Sequence, residues 1–210
     1  MRTDNDGVYN SRAESDAMDS SKPPRRNSSG YPHAVKFYID EGSLGRTVAD
    51  FLVPALNERL PALVIATPAH RTLIADELAR RDVNVRRLED DGDLQMLDAE
   101  QTLALFMAGN EPDRVRFEAT VNGLIERACK GRRDCPVRAY GEMVDVLWKR
   151  GTTDAAIRLE ILWNRIATDA KFSLLCGYAV GSFYKQIASN PTFQTVCDQH
   201  NHIIPAGKTA

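Results

Sequence analysis

The side chains best suited to chemistry fall in four short stretches: Asp40 to Thr47, His70-Arg71, Tyr140-Gly-Glu142 and Cys197 to His202. Glu142 stands where a short strand, Val137 to Tyr140, gives way at Gly141 to a helix. Pro136 suits the start of that strand, and Met143, Val144, Leu147 and Trp148 then recur at helical spacing. The switch places Tyr140 and Glu142 at the carboxyl edge of a sheet, where open α/β folds bind ligands. A carboxylate there polarises a water or holds a cation; the plainer alternative is a first-turn glutamate favoured by the helix dipole. His70 and Arg71 follow another strand through Pro68 and reach the same edge. His70 is then a hydrogen-bond partner or pH-sensitive contact for a ligand, or a surface histidine at a helix start.

Asp40-Glu-Gly-Ser-Leu-Gly-Arg-Thr47 lies between the first strand and the first helix. The phosphate-cradling pattern is Gly, four residues, Gly, Lys, then Ser or Thr. Here Asp40 replaces the first glycine and Arg46 the lysine. A carboxylate there repels phosphate, and arginine does not reproduce the compact charge of lysine. Nucleotide hydrolysis is therefore not expected, and no catalytic residue is assigned. The favoured reading is an anion at the helix amino terminus, with Ser43, Gly45 and Thr47 as donors. Cys197, His200 and His202 are soft or borderline ligands within six residues, short of the four a closed zinc site needs. Cys176 supplies a fourth only if the tail folds back over the last strand. The spacing fits no standard finger, so these remain weak candidates and no metal is assigned.

The elements that must position these residues alternate along the chain. His33 to Ile39 reads as a strand, Gly42 to Leu60 as an amphipathic helix, and Ala62 to Thr67 as a central strand buried on both faces. A helix over Ala69 to Arg81 follows, then a weaker strand over Val83 to Leu88 and another over Leu94 to Leu97. Ala99 to Ala108 is a helix, Gly109 to Pro112 a break, and Asp113 to Lys130 a long helix. Beyond Glu142 come a helix over Thr153 to Asp169 and a strong strand over Phe172 to Tyr178. Short helices near Phe183 to Ile187 and over Pro191 to Cys197 precede the end. The alternation predicts an α/β fold, a predominantly parallel sheet flanked by helices on both faces and built by right-handed crossovers. Trp148, Trp163 and Tyr178 lie on apolar faces, where aromatics serve the core more often than a pocket. Glu160 and Asn164, four apart on one helix face, satisfy buried groups or line a ligand cavity.

The chain of 210 residues holds one domain with a substantial core. Residues 1–31, rich in Ser, Asp, Asn, Arg and Pro, bury too little to offset ordering and read as a disordered tail. The folded part is 32–206, with a short tail at 207–210. A net charge of -2 gives no reason to expect direct nucleic-acid binding. No apolar run approaches the ~20 residues that cross a bilayer, and the amino terminus lacks a signal-peptide core. Four cysteines without close pairing are expected to be reduced thiols, hence a cytoplasmic protein.

Six segments in order resemble the MEDS family, the sensory domain named for methanogen and methylotroph regulators and the repressor DcmR. They are His33-Ala-Val-Lys-Phe-Tyr, Leu63 to Arg71 (Leu-Val-Ile-Ala-Thr-Pro-Ala-His-Arg), Leu97-Asp-Ala99, Val137 to Asp145 (Val-Arg-Ala-Tyr-Gly-Glu-Met-Val-Asp), Leu159 to Asn164 and Ser173 to Tyr178. The resemblance implies a RecA/KaiC-like core, here with a degenerate phosphate loop, that senses small molecules. In the family that core is attached to histidine kinases or DNA-binding regulators, whereas this chain is similar to the sensor alone. The expectation is a stand-alone sensory module regulating a signalling partner such as a histidine kinase or transcription regulator. Its ligand contacts are expected among Asp40, Ser43, Arg46, Thr47, His70, Arg71, Tyr140, Glu142, Trp163 and Tyr178. No cofactor is firm beyond a nucleotide or small organic ligand, and an oligomer is open. The alternatives are a nucleotide-binding KaiC-like switch or weak ATPase, and a ligand-free interaction scaffold.

Overall fold

A computed structural model of the protein describes residues 33–169, 171–182 and 191–204. β1 (His33–Tyr38) leads into α1 (Glu41–Asn57), and β2 (Ala62–Ala66) into α2 (Pro68–Ala79) and α3 (Val85–Asp90). β3 (Leu94–Asp98) is followed by α4 (Ala99–Phe106), a hairpin of β4 (Met107–Ala108) and β5 (Glu111–Pro112), and α5 (Arg114–Cys129). β6 (Val137–Gly141) precedes α6 (Met143–Lys149) and α7 (Thr153–Asp169). β7 (Phe172–Ala179), a 3-10 turn at Val180–Ser182, α8 (Pro191–Asp198) and β8 (His202–Ile204) end the described chain.

Six of these strands form one all-parallel sheet in the order β3-β2-β6-β7-β1-β8. Every residue of β1 and β2 is buried, as strands covered on both faces require. Alternate strand residues serve different cores. Ala34, Tyr38, Val64, Tyr140 and Leu175 pack with α1 and α2 on one face. Val35, Phe37, Ile65, Ala139, Cys176 and Tyr178 pack with residues of α4 to α8 on the other. This is the α/β architecture that the alternation of the sequence predicts, and it is consistent with a RecA-like core.

Three local expectations need correction. Val83 to Leu88 is not a strand: its latter part belongs to helix α3, none of whose residues is buried. Asn84 caps that helix by accepting the Arg87 N–H at 3.0 Å, and two arginines could not have entered the apolar interior beside β2. The place beside β2 goes to β3 instead. The helix expected to reach Ala108 ends at Phe106, because Gly109, at φ 62, turns Met107–Ala108 back onto Glu111–Pro112. His202–Ile204, read as part of the end segment, pairs with β1 as β8. The expected tail at 1–31, the helix near Phe183 to Ile187 and the stretch 207–210 lie outside the described residues.

Two glycines fix how closely the layers approach. A Cβ on Gly45 of α1 would fall 2.9 Å from Leu73 Cγ, so α1 and α2 touch because that position is bare. A Cβ on Gly177 of β7 would stand 2.5 Å from the hydroxyl oxygen of Tyr140, a fully buried side chain. Gly177→Ala is therefore expected to cost about 1–3 kcal/mol through overpacking. Urea unfolding checks this as a lowered midpoint at unchanged m-value.

Candidate functional site

The chain continues from neighbouring strands β2 and β6 over opposite faces: α2 covers one, α6 the other. Diverging continuations leave a crevice at the carboxyl ends of the two strands, where open α/β sheets bind ligands. Glu142 occupies it as the residue before α6, and its side chain makes no cap bond to its own helix. It reaches instead across to the end of β2. Oε1 accepts the Thr67 N–H at 2.6 Å. Oε2 accepts the Nδ1–H of His70 at 2.6 Å and the Tyr140 hydroxyl at 2.9 Å. Glu142 is 1% exposed and His70 5%, so the pair is shielded from solvent.

A buried carboxylate persists only with such partners. Burial opposes ionisation of Glu142, but the hydrogen bond and charge of His70, with the Thr67 N–H, outweigh it and hold the carboxyl below its usual value. Burial likewise opposes protonation of His70, yet Glu142 and then Glu41 raise it above the usual 6.5. The contact thus favours the His⁺–Glu⁻ form of the pair. With Nδ1–H committed to Glu142, Nε2 is the outward end of the ring; Glu41, 71% exposed, lies 3.8 Å from it, too far for a hydrogen bond. Next to it in sequence, Arg71 reaches Asp98 at 3.3 Å through one guanidinium nitrogen, while its buried Nε has no acceptor. The carboxyl edge thus carries one outward-facing, pH-responsive donor, His70 Nε2, and one buried donor without an acceptor, Arg71 Nε.

A second carboxylate does the same work for β1 and β7. Asp145, one turn into α6, accepts the Ala179 N–H at 3.1 Å and the Tyr38 hydroxyl at 3.2 Å, and pairs with Lys149 at 2.7 Å. The Tyr38 ring meets His70 edge-on at 5.8 Å, joining the two groups. Tyr38, Glu41, Asp145 and Lys149 were not among the expected site residues. The i, i+3 spacing of Glu142 and Asp145 on one short helix was the available signal.

The expected residues separate into three places. His70, Arg71, Tyr140 and Glu142 meet at the crevice or beside it. Asp40, Ser43, Arg46 and Thr47 lie apart from them, at the start of α1. Only Ile39 and Asp40 connect β1 to α1, and Gly42 and Gly45 lie inside the helix. Two of the expected donors are engaged within the helix start: Asp40 caps α1 by accepting the Ser43 N–H at 2.7 Å, and the Thr47 hydroxyl donates to the Ser43 carbonyl at 2.8 Å. Trp163 and Tyr178 stand on the opposite face. Trp163 packs edge-on against Phe117 at 5.0 Å and stacks on Phe172 at 5.8 Å, a core role. Tyr178 donates to Glu160 at 2.8 Å in a separate buried polar group that includes His200, while Cys197 and His202 stay out of it. An open depression of about 340 Å³ lies at the other edge of the sheet, between the end of α1 and α3, away from all of these residues.

A family model described as MEthanogen/methylotroph, DcmR Sensory domain (MEDS) matches residues 32–191. A search of curated proteins finds no match. Among the described residues, no helix is long and apolar enough to cross a membrane.

The pH dependence of the crevice follows from its two shifts. The raised His70 pKa contributes stability that is complete below its ordinary 6.5 and is lost as pH rises through the folded value. The lowered Glu142 pKa contributes stability that is present above its ordinary 4.5 and is lost as pH falls through the folded value. The pair therefore stabilises most between those two ordinary values. Glu142→Gln, which breaks it, is expected to cost about 3 kcal/mol there. The wild-type advantage in thermal midpoint should shrink as pH rises above neutrality; an advantage that grows with pH would refute the ion pair.

Proposed function

The chain belongs to the MEDS family, the methanogen/methylotroph, DcmR sensory domains, and from that premise we propose that it detects a small oxygen-bearing molecule at the carboxyl edge of its sheet. The observation that carries this reading is the set of polar contacts at the carboxyl ends of β2 and β6. There Glu142 holds His70 in one tautomer with its Nε2 outward, and the Arg71 Nε has no acceptor. Two donors held by buried structure are matched by a ligand that brings acceptors, such as a carboxylate or carbonyl compound. Protonation of His70, which Glu142 favours, would add a preference for anions.

Signal output follows from the same geometry. A ligand that competes with Glu41 for His70 acts on a group whose carboxylate partner ties β6 to the start of α2 through Thr67. Through Asp145 on α6, the same edge reaches the ends of β1 and β7. The ligand would thus change the packing of α1, α2 and α6, and with it the surface offered to a signalling partner such as a histidine kinase or a transcription regulator. The short connection between β1 and α1, with two of the expected donors engaged within the helix start, favours this reading over a nucleotide switch.

Thermal unfolding against a panel of small carboxylates and carbonyl compounds, with ATP–magnesium as comparison, tests the proposal. A ligand at a hundred times its dissociation constant adds about 2.7 kcal/mol, a visible rise in midpoint. His70→Ala and Arg71→Ala should fold and lose most of that rise. A shift with ATP–magnesium alone would overturn the reading in favour of a nucleotide switch. A carboxylate shift that survives both substitutions would move the site away from the crevice.

A further inference from the structure

On the other face of the sheet, four side chains from four elements turn their ligating atoms toward one point. His33 comes from β1, Glu160 from α7, Cys176 from β7 and His200 from the segment between α8 and β8. Their ligating atoms all lie within 4.8 Å of one another. Both imidazole Nε2 atoms stand 3.4 Å from Glu160 Oε2. Cys176 Sγ lies 3.5 Å from the same oxygen and 3.5 Å from His33 Nε2. The side chains of His33, Glu160 and His200 are fully buried, and Cys176 is 0% exposed. Parallel pairing brings the pieces together: β1 lies between β7 and β8, and the Asn201 N–H donates to the His33 carbonyl at 2.7 Å.

The outer atoms of each side chain are held as ligands of a metal usually are. His33 Nδ1 meets Asn164 Oδ1 at 2.8 Å, and His200 Nδ1 meets the Val196 carbonyl at 2.7 Å. Both acceptors place the ring proton on Nδ1 and leave a lone pair on Nε2 in each neutral imidazole. Glu160 Oε1 accepts the Tyr178 hydroxyl at 2.8 Å, which leaves Oε2 for the centre. His200 Nε2 is buried and, despite its nearness to Glu160, makes no hydrogen bond. That atom points into the cluster, near Glu160 Oε2 but without a hydrogen bond.

Four of the six spacings fit a metal polyhedron, and the other two are within 4.8 Å. Zinc–nitrogen and zinc–oxygen bonds of about 2.0–2.1 Å and a zinc–sulfur bond of about 2.3 Å give tetrahedral edges of roughly 3.3–3.6 Å. The four contacts at 3.4 and 3.5 Å fall in that range. The charge also fits: two neutral imidazoles, one thiolate and one carboxylate balance a divalent ion, so the filled site is neutral within an apolar core. We propose that His33, Glu160, Cys176 and His200 form a closed site for one divalent ion of the zinc type, which fastens the C-terminal segment to β1, β7 and α7. With all four positions supplied by the protein, its role is structural. His200 lies beyond the matched residues 32–191, so the ion would join the family core to the segment that follows it. The inference is independent of the ligand proposed at the crevice.

The test refolds the full chain from denaturant in metal-free buffer, with and without one equivalent of Zn²⁺ or Co²⁺. One tightly held ion per chain and a higher thermal midpoint with the ion are expected. The cobalt form should show the visible bands of a tetrahedral site and a near-ultraviolet sulfur-to-cobalt band. Cys176→Ser should remove the sulfur band and His200→Gln should weaken binding, while His202→Gln, outside the cluster, should change neither. Where a variant fails to fold, the wild-type cobalt spectrum decides. A folded chain by circular dichroism that takes up no stoichiometric ion would overturn the proposal and leave a proton-held cluster. So would cobalt bound without the sulfur band, or binding unchanged in both Cys176→Ser and His200→Gln.

Discussion

The Glu142 carboxylate imposes the tightest constraint on this molecule. A negative charge that is 1% exposed costs several kcal/mol unless it is neutralised and hydrogen-bonded. Its three partners come from the end of β2, from the first turn of α2 and from β6 itself. Meeting that demand fixes the distance between β2 and β6, the start of α2 after Pro68 and the rotamer of Tyr140. Gly177 on β7 must then stay bare, since Tyr140 occupies the space of its side chain. One ionised group thereby dictates the arrangement of three strands and a helix.

The sheet separates two kinds of polar chemistry. Toward α1 and α2, the buried Glu142–His70 pair lies at the carboxyl edge, where His70 Nε2 and Arg71 Nε make no hydrogen bond. Toward α7 and α8, the cluster around Glu160 is sealed, and its free valences face inward. The two proposals made above assign an exchangeable ligand to the first and a resident ion to the second, although both histidine–glutamate pairs are buried.

The turn after β1 shows how a helix cap takes up a backbone N–H that a phosphate cradle would need. A phosphate cradle needs backbone N–H groups released from helix pairing. Asp40 begins α1 at once and takes the Ser43 N–H for itself. The substitutions at Asp40 and Arg46 were visible in the sequence. That the whole loop had become a helix start was not, because the same residues spaced one turn later would read alike.

Local pattern determined much of this protein from sequence alone. The apolar run of β2, the stripe of α1 and the Gly141-Glu142 switch gave strands, helices and a parallel sheet, because burial on a repeating backbone leaves a periodic mark. Helix α7 is bounded as its sequence pattern predicts, and His70, Tyr140 and Glu142 could be placed at one edge by their positions after strands. The polar segment before Asp91 misled, since a short capped helix and a weak strand share so brief a pattern. Partnership was decided only in three dimensions. Glu142 and His70 are 72 positions apart, and His33 and Cys176 are 143 apart. Strand order, set by how the whole core packs, brings such residues together, and no periodicity along the chain records it.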